Sequence, residues 1–456
     1  MTAASSEIHA GVARRTITPP QGIFLIGYGD RSKGNVGVHD DLTATALVVA
    51  GLPTPVMGQK QIAIVALDIL AINEYVVDRL RQRVGRDTEI LLCCSHTHSG
   101  PIAYADEKSR RANRDYIDRL VVTIAEVVAE AANHLEPAHL VWSQAEAGIA
   151  INRRERKAGW SELAKPTIEI GRNPAGPVDR SVQVVSIMND AGKRLVTIVN
   201  YACHGTVLGP DNLLVSADWI GAMRTKVEAE LGGLVMFIQG ATGNLNPDMY
   251  WNNARAFEMV KEQGEQVADA VITAVHNGSE IIHPTSRCRL GIERSDAWLP
   301  FEVPATTSQP PKNYARPLLA MARLPGWLAF LADPLLNQRY PWKPHIEARN
   351  GFWAVPMRIN AVRIGDLALI TFGAEVFTEI GMKARQLSPA RHTLFASLTD
   401  GCISYLHTTE SHSEGGYEVD LAPLAYRYPG RLAAECESLA LQTAKALLDK
   451  LWSSSD

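Results

Sequence analysis

Short apolar runs alternate along the chain with longer stretches in which apolar residues recur every three or four positions. IAIVALDIL (62–70) and EILLCCS (89–95) have the unbroken apolar character of buried strands. EYVVDRLRQRV (74–84) between them has helical spacing, giving a βαβ-like rhythm. Residues 116–132 form the clearest amphipathic helix. Four further strands are expected over 139–152, 181–189, 194–204 and 233–240, and two further helices over 254–275 and 432–451. The pattern predicts a mixed α/β (α+β) class, with central β-sheets flanked by helices. No internal repeat interrupts it.

One stretch breaks the rhythm. Between 298 and 344 Pro and Trp crowd together, and the apolar 318–331 predicts a helical middle. An irregular surface excursion and a cap over a pocket both fit this composition.

The chain has 456 residues with 45 Lys+Arg against 49 Asp+Glu, a net charge of −4. That balance disfavours nucleic acid as a partner and a polybasic membrane surface. Ordinary apolar content excludes disorder and a disulfide-dense scaffold. Six cysteines (Cys93, Cys94, Cys203, Cys288, Cys402 and Cys436) form no CxxC pair, so a four-cysteine structural zinc site is not expected. The first three lie in apolar runs and read as buried thiols. The N-terminus shows no signal peptide, and no run approaches the roughly 20 apolar residues of a membrane span. A cytoplasmic location is therefore expected.

Candidate chemistry gathers at strand ends. In CCSHTHSGP, His96 and His98 leave a strand where alternation breaks, so both can face one cleft. In NYACHGTVLG, His204 again follows a strand and precedes a glycine that permits close backbone approach. Either site alone is explained by hydrogen-bonded histidines, but two such sites in one chain favour convergence on one metal. QGATGNLNPDMY after the strand LVMFI is a plain turn or a nest of amides for an oxyanion. Glu375 in FGAEVFTEIG is a metal-facing carboxylate or a helix N-terminal acid. ISYLHTTESHSEGGYEVD, rich in Tyr, His and Glu, has no periodicity.

Taken together, AGVARRTITPPQGIFLIGYGDRSKG, SHTHSGP, AINRRE, NYACHG, SADWIG, QGATGNLNP, GAEVFTE and SYLHTTE…GGYE resemble the neutral/alkaline, non-lysosomal ceramidases from about residue 10 to 420. The resemblance implies a Zn2+ site of His96, His204, Glu375 and Tyr405. It implies His98 as acid/base, Tyr417 as a hydrogen-bond donor to the reacting carbonyl oxygen, and Arg153 on the substrate-facing side. An N/O ligand shell of this kind suits zinc and leaves room for a water that it activates. Ligands from His96 to Glu375 span the chain, so a single interleaved catalytic domain over 1–456 is expected, carrying 298–344 as an insertion.

Two departures shape the expectation. The family's glycine turn usually reads G-D-V-S-P, whereas here it is Gly243-Asn244-Leu245-Asn246-Pro247. No serine nucleophile can be placed there, which leaves water as nucleophile and Asn246 as a residue that orients substrate. Full ceramidases also carry a C-terminal β-sandwich domain, and the helical pattern 432–451 followed by SSSD predicts a short bacterial-type relative without one. The expected function is zinc-dependent hydrolysis of an N-acyl amide, either ceramide or a smaller soluble substrate. The alternatives are an esterase or lactonase of the same fold, a TIM-barrel amidohydrolase reading of HTH, and a non-catalytic metal-binding relative. Partners are confined to a small-molecule N-acyl or ester substrate, with a homo-oligomer possible.

Overall fold

The computed structural model describes residues 8–453 except 30, 32, 52–60, 86, 102, 104–113, 159–166, 249–252, 283–289 and 322–343. Its main sheet has nine strands. They are β1 (Ile8–Thr16), β3 (Thr43–Gly51), β4 (Gln61–Leu67), β5 (Thr88–Cys94), β6 (Glu136–Glu146), β9 (Ser181–Asn189), β10 (Arg194–Tyr201), β12 (Leu234–Gln239) and β14 (Glu280–Ile282). Their order is β12-β10-β9-β6-β1-β3-β4-β5, with β14 beside β6. Pairing is antiparallel except for β10 with β12 and β4 with β5. The sheet curls until its edges β12 and β5 meet, where Gln239 Nε2 donates to Ser95 O at 3.0 Å and Cys203 O at 2.9 Å.

A second sheet contains β15 (Leu290–Pro304), β16 (Glu347–Arg349), β17 (Phe352–Ile364), β18 (Leu367–Phe372) and β20 (His392–Ala396). It packs face to face on the first. Leu47, Ile64, Leu140, Ile198 and Ile238 meet Ile364, Leu367, Leu369 and Leu394 around a void of about 10 Å³. Strands buried on both faces read as continuous apolar runs.

Helices cover the outer faces. On one half of the nine-stranded sheet lie α1 (Glu74–Val84) and α2 (Arg114–Asn133), and on the other α3 (Trp219–Leu231) and α4 (Ala256–Asn277). Helix α1 has Glu74 in its first turn and Arg81 and Arg83 in its last, matching the helix dipole, and Gly85 at φ 92° ends it. After α5 (Ala315–Met321), α6 (Thr378–Gln386), α7 (Thr409–Glu414) and α8 (Cys436–Ser453) follow, with α6 and α8 against the second sheet. The result is a mixed α/β fold, as the alternating pattern predicts, and its elements stack in four layers. Predominantly antiparallel pairing in both sheets, with β18–β20 the parallel exception in the second, removes the TIM-barrel reading.

Three small sheets lie at the strand ends. They are β2 (Gly37–Val38) with β11 (Leu214–Val215); β7 (Ala150–Lys157) between β8 (Thr167–Asn173) and β13 (Leu245–Pro247); and β19 (Glu375–Val376) with β21 (Tyr405–Leu406).

Two expectations need correcting. The single strand over 139–152 is two strands, β6 and β7, in different sheets. The chain breaks at Ala147-Gly148-Ile149, where the Tyr201 hydroxyl donates to Ala147 O and fixes the turn. The segment 298–344 opens as strand, because β15 runs through Pro304, and its helix starts at Ala315. The remainder of the expected helical middle, beyond 321, lies outside the described residues. Cys93, Cys94 and Cys203 are buried free thiols, as are Cys402 and Cys436; Cys288 lies outside the described residues. Among the described residues no helix is long and apolar enough to cross a membrane.

Candidate active site

The chain ends its strands where the curled sheet closes, and that closure brings the histidines together. His96 follows β5 in a left-handed conformation at φ 65°, with its amide donating to Ile69 O. His204 follows β10. A parallel bridge joins Thr97 to Gly205, and the His98 amide donates to Gly205 O at 3.1 Å. A Cβ on Gly205 would lie 3.1 Å from Thr97 Cα, so glycine permits this approach. Glu375 and Tyr405 arrive from the other side as in-register partners of β19 and β21.

Second bonds fix the imidazoles. His96 Nδ1 lies 2.8 Å from Leu70 O and His204 Nδ1 lies 2.7 Å from Leu245 O. A carbonyl only accepts, so each Nδ1 carries the proton and each Nε2 turns a lone pair inward. Glu375 Oε2 sits 3.2 Å from His96 Nε2 and 3.4 Å from His204 Nε2. His96 Nε2 and Glu375 Oε2 are buried without a hydrogen-bond partner. With both imidazoles neutral these three atoms are all acceptors, so the cluster needs a positive charge among them, a shared proton or a metal ion. The donor set, imidazole and carboxylate with both distal nitrogens anchored to carbonyls, fits a first-row metal such as zinc. Ligand atoms of His96, His98 and His204 also lie within 4.8 Å of one another, so this buried trio can hold a metal ion.

Burial pushes the His204 imidazole down to about 4, helped by Arg153 and His96 and opposed by Glu375. Burial also pushes His98 well below its ordinary value, reinforced by His96 and His204. Burial alone would raise Glu375, but His96 and His204 outweigh it and hold the carboxyl well below the usual range. Burial and then Glu375 push the Tyr405 phenol well above its ordinary value.

Around this centre stand the remaining predicted residues. The His98 ring is 5.0 Å from that of His96 and 5.7 Å from that of His204, and neither of its nitrogens has a partner. Arg153 of β7 places Nη1 3.5 Å from His204 Nε2 and 3.2 Å from Asn246 Oδ1. Its Cζ lies 5.3 Å from the Tyr405 ring and 6.0 Å from the Tyr417 ring. Tyr417 opens a π-helical turn, Tyr417–Leu421, and its ring meets that of Tyr405 edge-on at 5.8 Å. All eight residues singled out by sequence thus lie in one cluster.

The glycine turn has three amides that are not free for an oxyanion. Its amides at Gly240, Gly243 and Leu245 donate to the carbonyls of Tyr201, Val376 and Thr242. It serves as a strut: a Cβ on Gly243 would lie 2.7 Å from Glu375 O. Sequence reading also passed over Glu418, which pairs with both Arg153 and Arg154, and Gln239, which ties Ser95 to Cys203. The signal was present in two consecutive arginines at a buried strand centre, which require a buried carboxylate.

Residues 9–253 match the family model described as neutral/alkaline non-lysosomal ceramidase, N-terminal. A neutral ceramidase from Oryza sativa subsp. japonica is 24% identical over 230 residues, 47% of this chain and 28% of the rice protein. Neutral ceramidase 1 of Arabidopsis thaliana is 25% identical over 230 residues, 48% of this chain and 28% of the plant protein. The matched region therefore spans under a third of either curated relative. The crystal structure of neutral ceramidase from Pseudomonas aeruginosa superposes with a TM-score of 0.71 at 18% identity, covering 98% of this chain and 75% of that one. The fold is thus shared almost throughout, and the family match over residues 9–253 of 456 shows that the chain belongs to the neutral/alkaline non-lysosomal ceramidase family.

Proposed function

We propose that this protein hydrolyses the amide bond of ceramide-like N-acyl substrates, with zinc held by His96, His204, Glu375 and Tyr405. One observation carries the reading: Glu375 Oε2 lies 3.2 Å from His96 Nε2 and 3.4 Å from His204 Nε2, so a carboxylate and two imidazoles converge in one buried space. When bound, zinc supplies Lewis acidity toward the acyl carbonyl and makes water a competent nucleophile near neutral pH.

The chain's own residues do the rest. Burial keeps the His98 imidazole neutral, so it can take a proton from the attacking water and return it to the departing amine. Tyr417 donates a hydrogen bond to the acyl oxygen as charge builds there. Arg153 remains charged: burial opposes this, but Tyr405, Glu418 and Glu375 outweigh it. A fixed cation beside the acyl group favours the developing negative charge. Asn246, where the family usually has serine, offers no nucleophile, which agrees with attack by water.

The test is to compare matched amide and ester substrates, including a short-chain N-acyl sphingosine, using zinc-supplied protein and its His98→Ala variant. The reading expects amide hydrolysis that falls sharply in the variant. Ester hydrolysis without amide hydrolysis would instead favour the esterase reading, and turnover of neither would contradict catalysis.

A further inference from the structure

Strand alternation should send Arg153 and Arg154 to opposite faces of β7. Here both reach one carboxylate. Glu418 Oε1 accepts from Arg153 Nε at 2.9 Å, and its Oε2 accepts from Arg154 Nη1 at 2.9 Å. The register of β7 on β8 shifts at this point: Asn152 pairs with Asn173 and Arg154 with Ile170, so β8 carries an extra residue opposite Arg153. Such irregularities twist the ladder locally and re-aim side chains.

The two arginines have different duties. Arg154 also donates to Gly415 O at 2.9 Å and pairs with Glu414 at 3.3 Å, which lashes the segment before Tyr417 onto β7. Among the described residues Arg153 has Glu418 as its only ion-pair partner, while its Nη2 is buried with no hydrogen-bond partner. Glu418 thus anchors the Arg153 guanidinium at Nε, while Tyr405 lies against it and Nη1 reaches Asn246 and His204. Arg153 in turn decides which way Asn246 points. Nη1 is a donor only, so Asn246 must turn its carbonyl oxygen toward it, as it does at 3.2 Å. The amide nitrogen of this half-buried residue is left facing away from Arg153 with two hydrogens to donate.

We propose that Glu418 is a positioning residue, acting through Arg153 to fix Asn246 with its side-chain NH2 turned outward as a donor for a substrate oxygen. This rests on the amide-hydrolase reading for the identity of that substrate. The linkage gives the site a donor of defined direction where the family usually has a hydroxyl, and it favours an acyl group that presents an oxygen acceptor at that point.

The test is a double-mutant cycle of Glu418→Gln and Asn246→Ala in the zinc-supplied full chain. The readouts are KM and kcat on an N-acyl amide, the Kd of octanoate by calorimetry as a carboxylate probe, and zinc content. Each single variant should keep its zinc and raise both KM and the octanoate Kd by about tenfold, the scale of one lost hydrogen bond to a charged group. The double variant should be no worse than Asn246→Ala alone. Wild-type binding in Glu418→Gln, losses that multiply in the double variant, or no octanoate binding by the wild type would each overturn the proposal. If Glu418→Gln does not fold, Glu418→Asp, which keeps the charge but withdraws it by one methylene, carries the same comparison. Absence of amide turnover in the wild type would count against the amide reading, while the octanoate cycle still decides the role of Glu418.

Discussion

Glu375 and Tyr405 face each other in register across the two-stranded parallel ladder of β19 and β21. A carboxylate and a phenol separated by thirty positions of sequence are thereby placed as neighbours by backbone hydrogen bonds rather than by side-chain packing alone. The same backbone is braced from the far side, where Gly243 N donates to Val376 O at 2.7 Å.

That brace predicts the behaviour of Gly243→Ala. The added Cβ would lie 2.7 Å from Glu375 O and 2.9 Å from Val376 C, both backbone atoms that cannot swing aside. Overpacking of this kind costs about 1–3 kcal/mol. Urea unfolding should show that loss, and zinc affinity measured by competition with a chelator should fall with it. Unchanged affinity would mean that the turn does not position Glu375.

Tyr417→Phe separates metal binding from rate. Tyr417 lies beside Tyr405 and Arg153 but not among the converging acceptors. The variant should retain its metal and lose roughly 100-fold or more in kcat, the scale of removing one oxyanion donor. Full activity would remove Tyr417 from the mechanism.

Much of this was legible in the sequence, for identifiable reasons. Helix α1 coincides with its predicted bounds because apolar periodicity, a first-turn acid and a terminal glycine agree there. His96 and His204 were legible because each follows an apolar strand directly. The ladder of β19 with β21 was not, because two-residue strands carry no periodicity. The approach of β12 to β5 was hidden as well, since Gln239 meets Ser95 there across 144 positions of sequence. Nor does the spacing of NRRE announce that both arginines reach Glu418.

Asp218 gives a pH test away from the histidines. It is buried and accepts from the amides of Val207, Leu208 and Trp219. Burial lifts its carboxyl from 3.8 to about 6, against the pull of those amides. A carboxyl whose folded value is raised binds its proton more tightly when folded, so its ionisation costs stability as pH rises through the interval from 3.8 to about 6. Below that interval the cost vanishes, and above it the cost is constant. Relative to Asp218→Asn, chelator-treated wild-type protein should therefore lose about 2 kcal/mol between pH 4 and pH 6 and only a few tenths of a kcal/mol more to pH 7.5. Urea unfolding of both proteins across that range checks it; parallel profiles would show that Asp218 is not raised.

The central claim is that the acceptors gathered at Glu375 enclose a metal ion. Elemental analysis of the purified full chain, beside a His204→Ala control, tests it most directly. The account predicts about one zinc per chain in the wild type and its loss in the control. No bound metal in the wild type, even after zinc is supplied, would contradict it.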